Sequence, residues 1–239
     1  MSGDHPGGFS AALTVYERLL RRPDPDATAT RIHPGRLTPP ANWTPDLLPL
    51  RPYQAADPAA LGLGGFEDFH AIPGGVLDAA IGQVVDMEGP VHFDVLADRL
   101  LAGADVGRLG SRIRAGIEAR LDSLAGESEA APSLQLDDGF IARPRQFLKP
   151  PYRDWRAAPD KTRQLDHVSD AELMLALFRV VLDDGCRDRE VAMNDGIHAI
   201  GFIRLTDHVR ARLQQPLAHL LASGLVAEEG DGLIAQRVI

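Results

Sequence analysis

The sequence predicts a mainly α fold with small β-wings (α+β): tandem winged-helix (helix-turn-helix) repeats preceded by a proline-rich arm. Three observations carry this expectation. The run Arg108 to Leu124, RLGSRIRAGIEARLDSL, is answered without a gap by Arg204 to Leu220, RLTDHVRARLQQPLAHL, 96 residues later. In both copies three helical periodicities precede that run's end, and a hairpin signal follows it. Ten of the eighteen prolines lie in residues 1–70, where helical periodicity is confined to one short stretch.

In the repeat, Leu109, Ile113, Ile117, Leu121 and Leu124 match Leu205, Val209, Leu213, Leu217 and Leu220, the spacing of an amphipathic helix facing a core. The register extends back to Leu77 and Leu173, with twelve of 48 aligned positions identical, which favours a duplicated unit over a chance motif. The duplicated arginines Arg108/Arg204 and Arg114/Arg210 belong to it.

Read in order, residues 1–70 hold a short helix (Phe9, Leu13, Tyr16, Leu19, Leu20) closed by Arg21, Arg22 and Pro23. An extended arm follows, and its Trp43, Leu47, Leu48, Leu50 and Tyr53 are expected to lie on a surface of this chain or of a partner. Domain 1, residues 71–143, reads as helices at 76–87 and 93–101, the organising helix at 108–124, and strands at 133–136 and 140–142 around Asp137-Asp138-Gly139. Residues 144–167 form a connector. Domain 2, residues 168–239, reads as helices at 170–182, 188–200 and 206–223, then strands at 225–227 and 233–236. Ser169 with Glu172 three residues on is a capping-box signal. Pro216 is expected to kink the last helix or mark its end. Three helices and a hairpin is the winged-helix order, in which the third helix usually reads DNA.

The formal net charge of −9 argues against a generally basic surface, although a local patch can still hold phosphates. Residues 128–167 are the exception, summing to +1 where the flanking repeats each sum to −4. There Arg143, Arg145, Lys149, Arg153, Arg156, Lys161 and Arg163 alternate with Phe147, Tyr152 and Trp155, a composition suited to a nucleic-acid strand or to a linker whose aromatics pack on the two domains. Arg108 and Arg112 lie one turn apart, off the apolar stripe, matched by Arg204 and His208. The candidate nucleic-acid-binding set is therefore Arg108, Arg112, Arg114, Arg143, Arg145, Arg153, Arg156, Arg204 and Arg210. The competing expectation is that Arg108 and Arg204 cap or pair within their own domains, for instance with acids of the preceding helix.

Catalytic and metal chemistry are not expected. The eight histidines show neither an HExxH motif nor a clustered pair with nearby carboxylates. The GLGG at Gly62 to Gly65 lacks a phosphate-binding consensus and reads as a loop. The single cysteine, Cys186, reads as an apolar filler; it allows no internal disulfide and suits a reducing cytoplasm. The N-terminus lacks a signal-peptide pattern, and no run is long and apolar enough to suggest a membrane span.

The stretches EGPVHFDVLADRL, RLGSRIRAGIEARL, the basic connector, VSDAELMLALFRVV and GFIRLTDHVRARL, in this order, resemble the C-terminal region of large bacterial superfamily 1 helicase-nuclease proteins, including the domain of unknown function 3320. The resemblance runs from about Pro52 to the C-terminus. It implies a non-catalytic, DNA-related accessory module, with a helicase or nuclease as partner protein and no cofactor. The chain itself has no GxxxxGK[ST] loop and no carboxylate-plus-lysine nuclease constellation. The other expectation is a protein-interaction scaffold of the acidic winged-helix adaptor type, which the net charge and the proline-rich arm favour.

Overall fold

The computed structural model describes residues 49–126, 133–184, 186–230 and 232–235. The expected helix over Phe9 to Leu20, the arm residues Trp43, Leu47 and Leu48, and the side chains of Phe147 and Cys186 lie outside the described residues. What is described is mainly helical with three small sheets.

The chain enters through β1 (Arg51–Pro52) and two short 3-10 turns. A first unit follows: α1 (Gly74–Glu88), β2 (Val91–His92), α2 (Phe93–Gly103), α3 (Ser111–Gly126), β3 (Gln135–Asp137) and β4 (Phe140–Ala142). The connector holds α4 (Pro144–Leu148) and β5 (Arg153–Asp154). A second unit then repeats the order as α5 (Asp170–Asp184), β6 (Cys186–Asp188), α6 (Arg189–Ala199), α7 (Asp207–Ala222), β7 (Val226–Glu229) and β8 (Gly232–Ala235). Each of its three helices starts 96 residues after its counterpart.

Both units close with the same sheet. The strand between the first two helices pairs with the second hairpin strand, giving the antiparallel orders β2-β4-β3 and β6-β8-β7. Ile141 stands between Val91 and Leu136, and Leu233 between Arg187 and Glu228. The first hairpin turns tightly because Asp138 and Gly139 both take positive φ, 45° and 84°, as a two-residue turn between right-twisted strands requires.

Helix starts are fixed by local chemistry. Asp188 accepts from the amides of Glu190 and Val191, and Thr206 from that of Val209, so α6 and α7 begin with side-chain caps. Ser169 Oγ accepts from the Glu172 amide at 3.4 Å, but the Glu172 carboxylate binds Arg153 and Trp155 instead of returning to the cap, so only half of the expected capping box forms. α3 begins at Ser111, three residues later than the pattern suggested, which leaves Arg108 and Leu109 in the preceding loop. Pro216 does not end α7, which continues to Ala222; the missing amide removes one ladder bond and the helix tolerates it.

Two cores result. Leu77, Ile81, Val84, Val85, Leu96, Leu100, Ile117, Leu121 and Ile141 fill the first. Leu173, Met174, Leu177, Val181, Met193, Ile197, Leu213, Leu217, Leu220 and Leu233 fill the second. The stripe positions Ile113 and Val209, expected in the core, are only half-buried at its edge, because the helices present their next turn, Ile117 and Leu213, to the centre.

The end of the arm belongs to this chain. Leu50 and Tyr53 pack on the second core, while Ala56, Leu61, Leu63 and Phe69 pack on the first, so the GLGG loop is pinned by buried Leu63. β1 pairs in parallel with β5 of the connector. Residues 51–72 therefore bind both cores, and the segment from Tyr152 to Val168 lies in the second.

Candidate nucleic-acid interface

The structure separates the candidate arginines into two groups. Arg108, Arg112 and Arg204 are exposed at the approach to and first turn of the third helix of each unit, and Arg145 is exposed on α4. None of these four side chains makes a hydrogen bond or ion pair with a described residue. Each guanidinium presents five N–H donors in a rigid fork, which suits phosphate oxygens.

The remaining candidates are engaged internally. Arg114 of α3 binds Asp94 of α2 at 3.0 Å, and its repeat equivalent Arg210 of α7 binds Glu190 of α6 at 2.9 Å. Pairing with the preceding helix thus falls on Arg114 and Arg210 instead of Arg108 and Arg204, and the hydrogen bond to Glu190 raises the pKa of Arg210. The same units tie the third helix to the first through Arg120–Asp78 and Arg212–Asp170, pairs that are not repeat-equivalent. Arg143 binds Asp86 at 2.7 Å, and the Asp86 hydrogen bond raises its pKa. Arg156 binds Asp154 at 2.7 Å, which lowers the aspartate pKa through that hydrogen bond.

Arg153 corrects the sequence expectation most sharply, since it is 6% exposed and cannot reach a phosphate outside the protein. Its guanidinium binds the Glu172 carboxylate at 2.6 Å and donates to the carbonyls of Glu88 and Pro90. It also lies 5.1 Å from the Tyr53 ring centre and 4.9 Å from that of Trp155. Trp155 Nε1 donates to Glu172 as well. Burial opposes the Arg153 charge, and Glu172 overcomes that penalty, so the pKa rises.

Beside it lies a second buried carboxylate, Glu88 at the end of α1. It accepts from Arg99 Nε at 2.8 Å, from the Ala56 amide at 2.9 Å and from the Tyr53 hydroxyl. Burial, then the Glu88 charge, holds Tyr53 protonated far above its usual range. Arg99 reaches on to Thr162 Oγ1 at 3.0 Å, which joins the first unit to the connector. Arg153 of the connector thus bridges the two units, and among the connector's candidate arginines only Arg145 offers an unpaired charge.

One cluster escaped the sequence pattern. The turn before α5 brings His167 against His92, their rings stacked at 4.9 Å, with Asp94 beside them. Seventy-five positions separate the two histidines, so no local motif marks the pair.

A family model described as "Protein of unknown function (DUF3320)" matches residues 67–115, from before α1 into the first turns of α3. The matched segment contains Glu88, Asp94, Arg99, Arg108, Arg112 and Arg114. No curated protein and no solved structure matches the chain. Among the described residues, no helix is long and apolar enough to cross a membrane.

Proposed function

We propose that the chain is a non-catalytic tandem winged-helix module that binds DNA backbones as an accessory to a helicase or nuclease system. The helix–strand–helix–helix–hairpin order in both units supports the fold assignment. The observation that carries the functional reading is the exposed, unpartnered trio Arg108, Arg112 and Arg204 at the third helices, in a chain whose other candidate arginines, Arg145 apart, are engaged by its own acids. The resemblance to helicase-nuclease C-terminal regions supports the partner class.

Salt-dependent titration with duplex and single-stranded DNA tests it. Each phosphate neutralised on a duplex contributes about 0.9 to the slope of log affinity against log salt, so Arg108→Ala/Arg112→Ala/Arg204→Ala should flatten it by up to about 2.7. Arg143→Ala, whose guanidinium is already held by Asp86, should leave the slope unchanged. Absence of binding to either DNA at low salt removes the proposal.

A specific observation favours the scaffold reading as second choice: Ile203, next to Arg204, is 82% exposed, with Val191 of α6 also open at 42%. Under that reading Ile203→Ser releases a protein partner and leaves DNA behaviour unchanged.

A further inference from the structure

We propose that His92, Asp94 and His167 form a binding site for one divalent transition-metal ion of the zinc class, at the junction of α2 with the turn that leads into α5. Each residue offers a ligand atom, and these atoms lie within 4.8 Å of one another. Two imidazoles and one carboxylate are the donor set of a zinc site with an open fourth position. Tetrahedral ligation at about 2.0–2.2 Å needs ligand atoms roughly 3.3 Å apart, so side-chain shifts of about an ångström complete the site.

Hydrogen bonds set which nitrogen of each ring holds the lone pair. His167 Nδ1 lies 2.9 Å from the Thr162 carbonyl, which can only accept, so Nδ1 carries the proton and Nε2 the lone pair. The same threonine's hydroxyl is held by buried Arg99, which fixes the supporting loop. His92 Nδ1 carries its lone pair on the side of Asp94, accepting from the Asp94 amide at 3.2 Å and lying 3.8 Å from Asp94 Oδ2, and ligation would replace that amide bond. Asp94 gives Oδ1 to Arg114, leaving Oδ2 for the ion. Burial, then the neighbouring His167, lowers the pKa of His92, which favours the neutral imidazole that metals require.

The repeat supplies an internal control. His92 and Asp188 are equivalent positions, and both cap the second helix of their unit. Aspartate is a strong cap, whereas imidazole is not among the favoured ones. The first unit therefore carries a weaker cap at the one position where a second histidine meets it. Asp166, paired with His208 at 3.1 Å, adds a further carboxylate near the site and favours a cation there. This inference is independent of the DNA reading.

Titration of the full chain with Zn²⁺ by calorimetry, after chelator treatment, should give one site per chain. Co²⁺ should develop intense visible absorption of four-coordinate type, while Mg²⁺ and Ca²⁺ should not compete. Asp94→Asn and His92→Asn, at surface-accessible positions, should each weaken Zn²⁺ at least about 10-fold, the lower end of what supporting groups alone contribute. His5→Gln/His33→Gln, remote in sequence, should keep the site. Unchanged Zn²⁺ affinity in both His92→Asn and Asp94→Asn, no one-to-one binding in the parent, or equal binding of Ca²⁺ would overturn the proposal.

Discussion

The two units share a frame and differ in what they bury. Their helices start at the same spacing, their third helices present matched leucine stripes, and both pair the third helix to the second through Arg114–Asp94 or Arg210–Glu190. Their buried carboxylates follow no such register: Glu88 ends α1, whereas Glu172 sits in the first turn of α5, at the position where α1 carries Val76. α1 keeps one face in solvent, while α5 buries Leu173 through Phe178 without a break because arm and connector cover its outer side. Duplication thus accounts for each unit's architecture, and the departures from it account for how the units are joined.

The largest effect expected from this contrast lies at the unshared charges. Glu172 is fully buried against Arg153, so Glu172→Leu leaves an uncompensated guanidinium and should cost about 3–5 kcal/mol. Glu172→Leu/Arg153→Met should recover most of that loss in denaturant unfolding. The shared pair Arg114–Asp94 is nearly half exposed, and Arg114→Ala should cost under about 1 kcal/mol. Equal costs for Glu172→Leu and Arg114→Ala would erase the distinction between inherited pairs and joining pairs.

A second, smaller effect tests the matched stripes. Ile117→Ala and Leu213→Ala both empty fully buried positions and should each cost about 2–5 kcal/mol. Ile113→Ala, at the half-buried edge, should cost only about 1–2 kcal/mol, below the value expected for a core position. If Ile113 and Ile117 proved equal, the phase of α3 would be rotated.

These positions also mark what the sequence could disclose. Six helices were legible because apolar spacing at 3.6 residues repeats over three or more turns, and duplication confirmed the register. β2 and β6, two and three residues long, carry no alternation to detect. The arginine sorting was illegible because exposed and buried guanidiniums share one sequence signature; their acids lie 57 positions away for Arg143–Asp86 and 19 for Arg153–Glu172. One signal was available. Glu88 continues the Ile81, Val84, Val85 face of α1, and an acid on an apolar face calls for a buried cation. The His92–His167 contact had no such mark, since it joins the first unit to the far end of the connector.

The smallest effect contrasts the equivalent caps His92 and Asp188 through pH. Burial, then His167, lowers the His92 pKa from 6.5, with Arg114 acting in the same direction and Asp94 and Asp166 opposing. The unfolded chain therefore holds a proton that the folded chain releases between the lowered value and 6.5, and stability is lost as pH falls through that window. His92→Asn supplies a favoured cap whose side chain does not titrate. Urea midpoints measured from about pH 8 down to about pH 5.5 should decline in the parent, and decline less in His92→Asn. Asp188→Asn should leave the slope of the parent unaltered. Parallel curves for all three chains would show that the first unit's cap carries no proton-linked cost, and that the two caps differ in residue type alone.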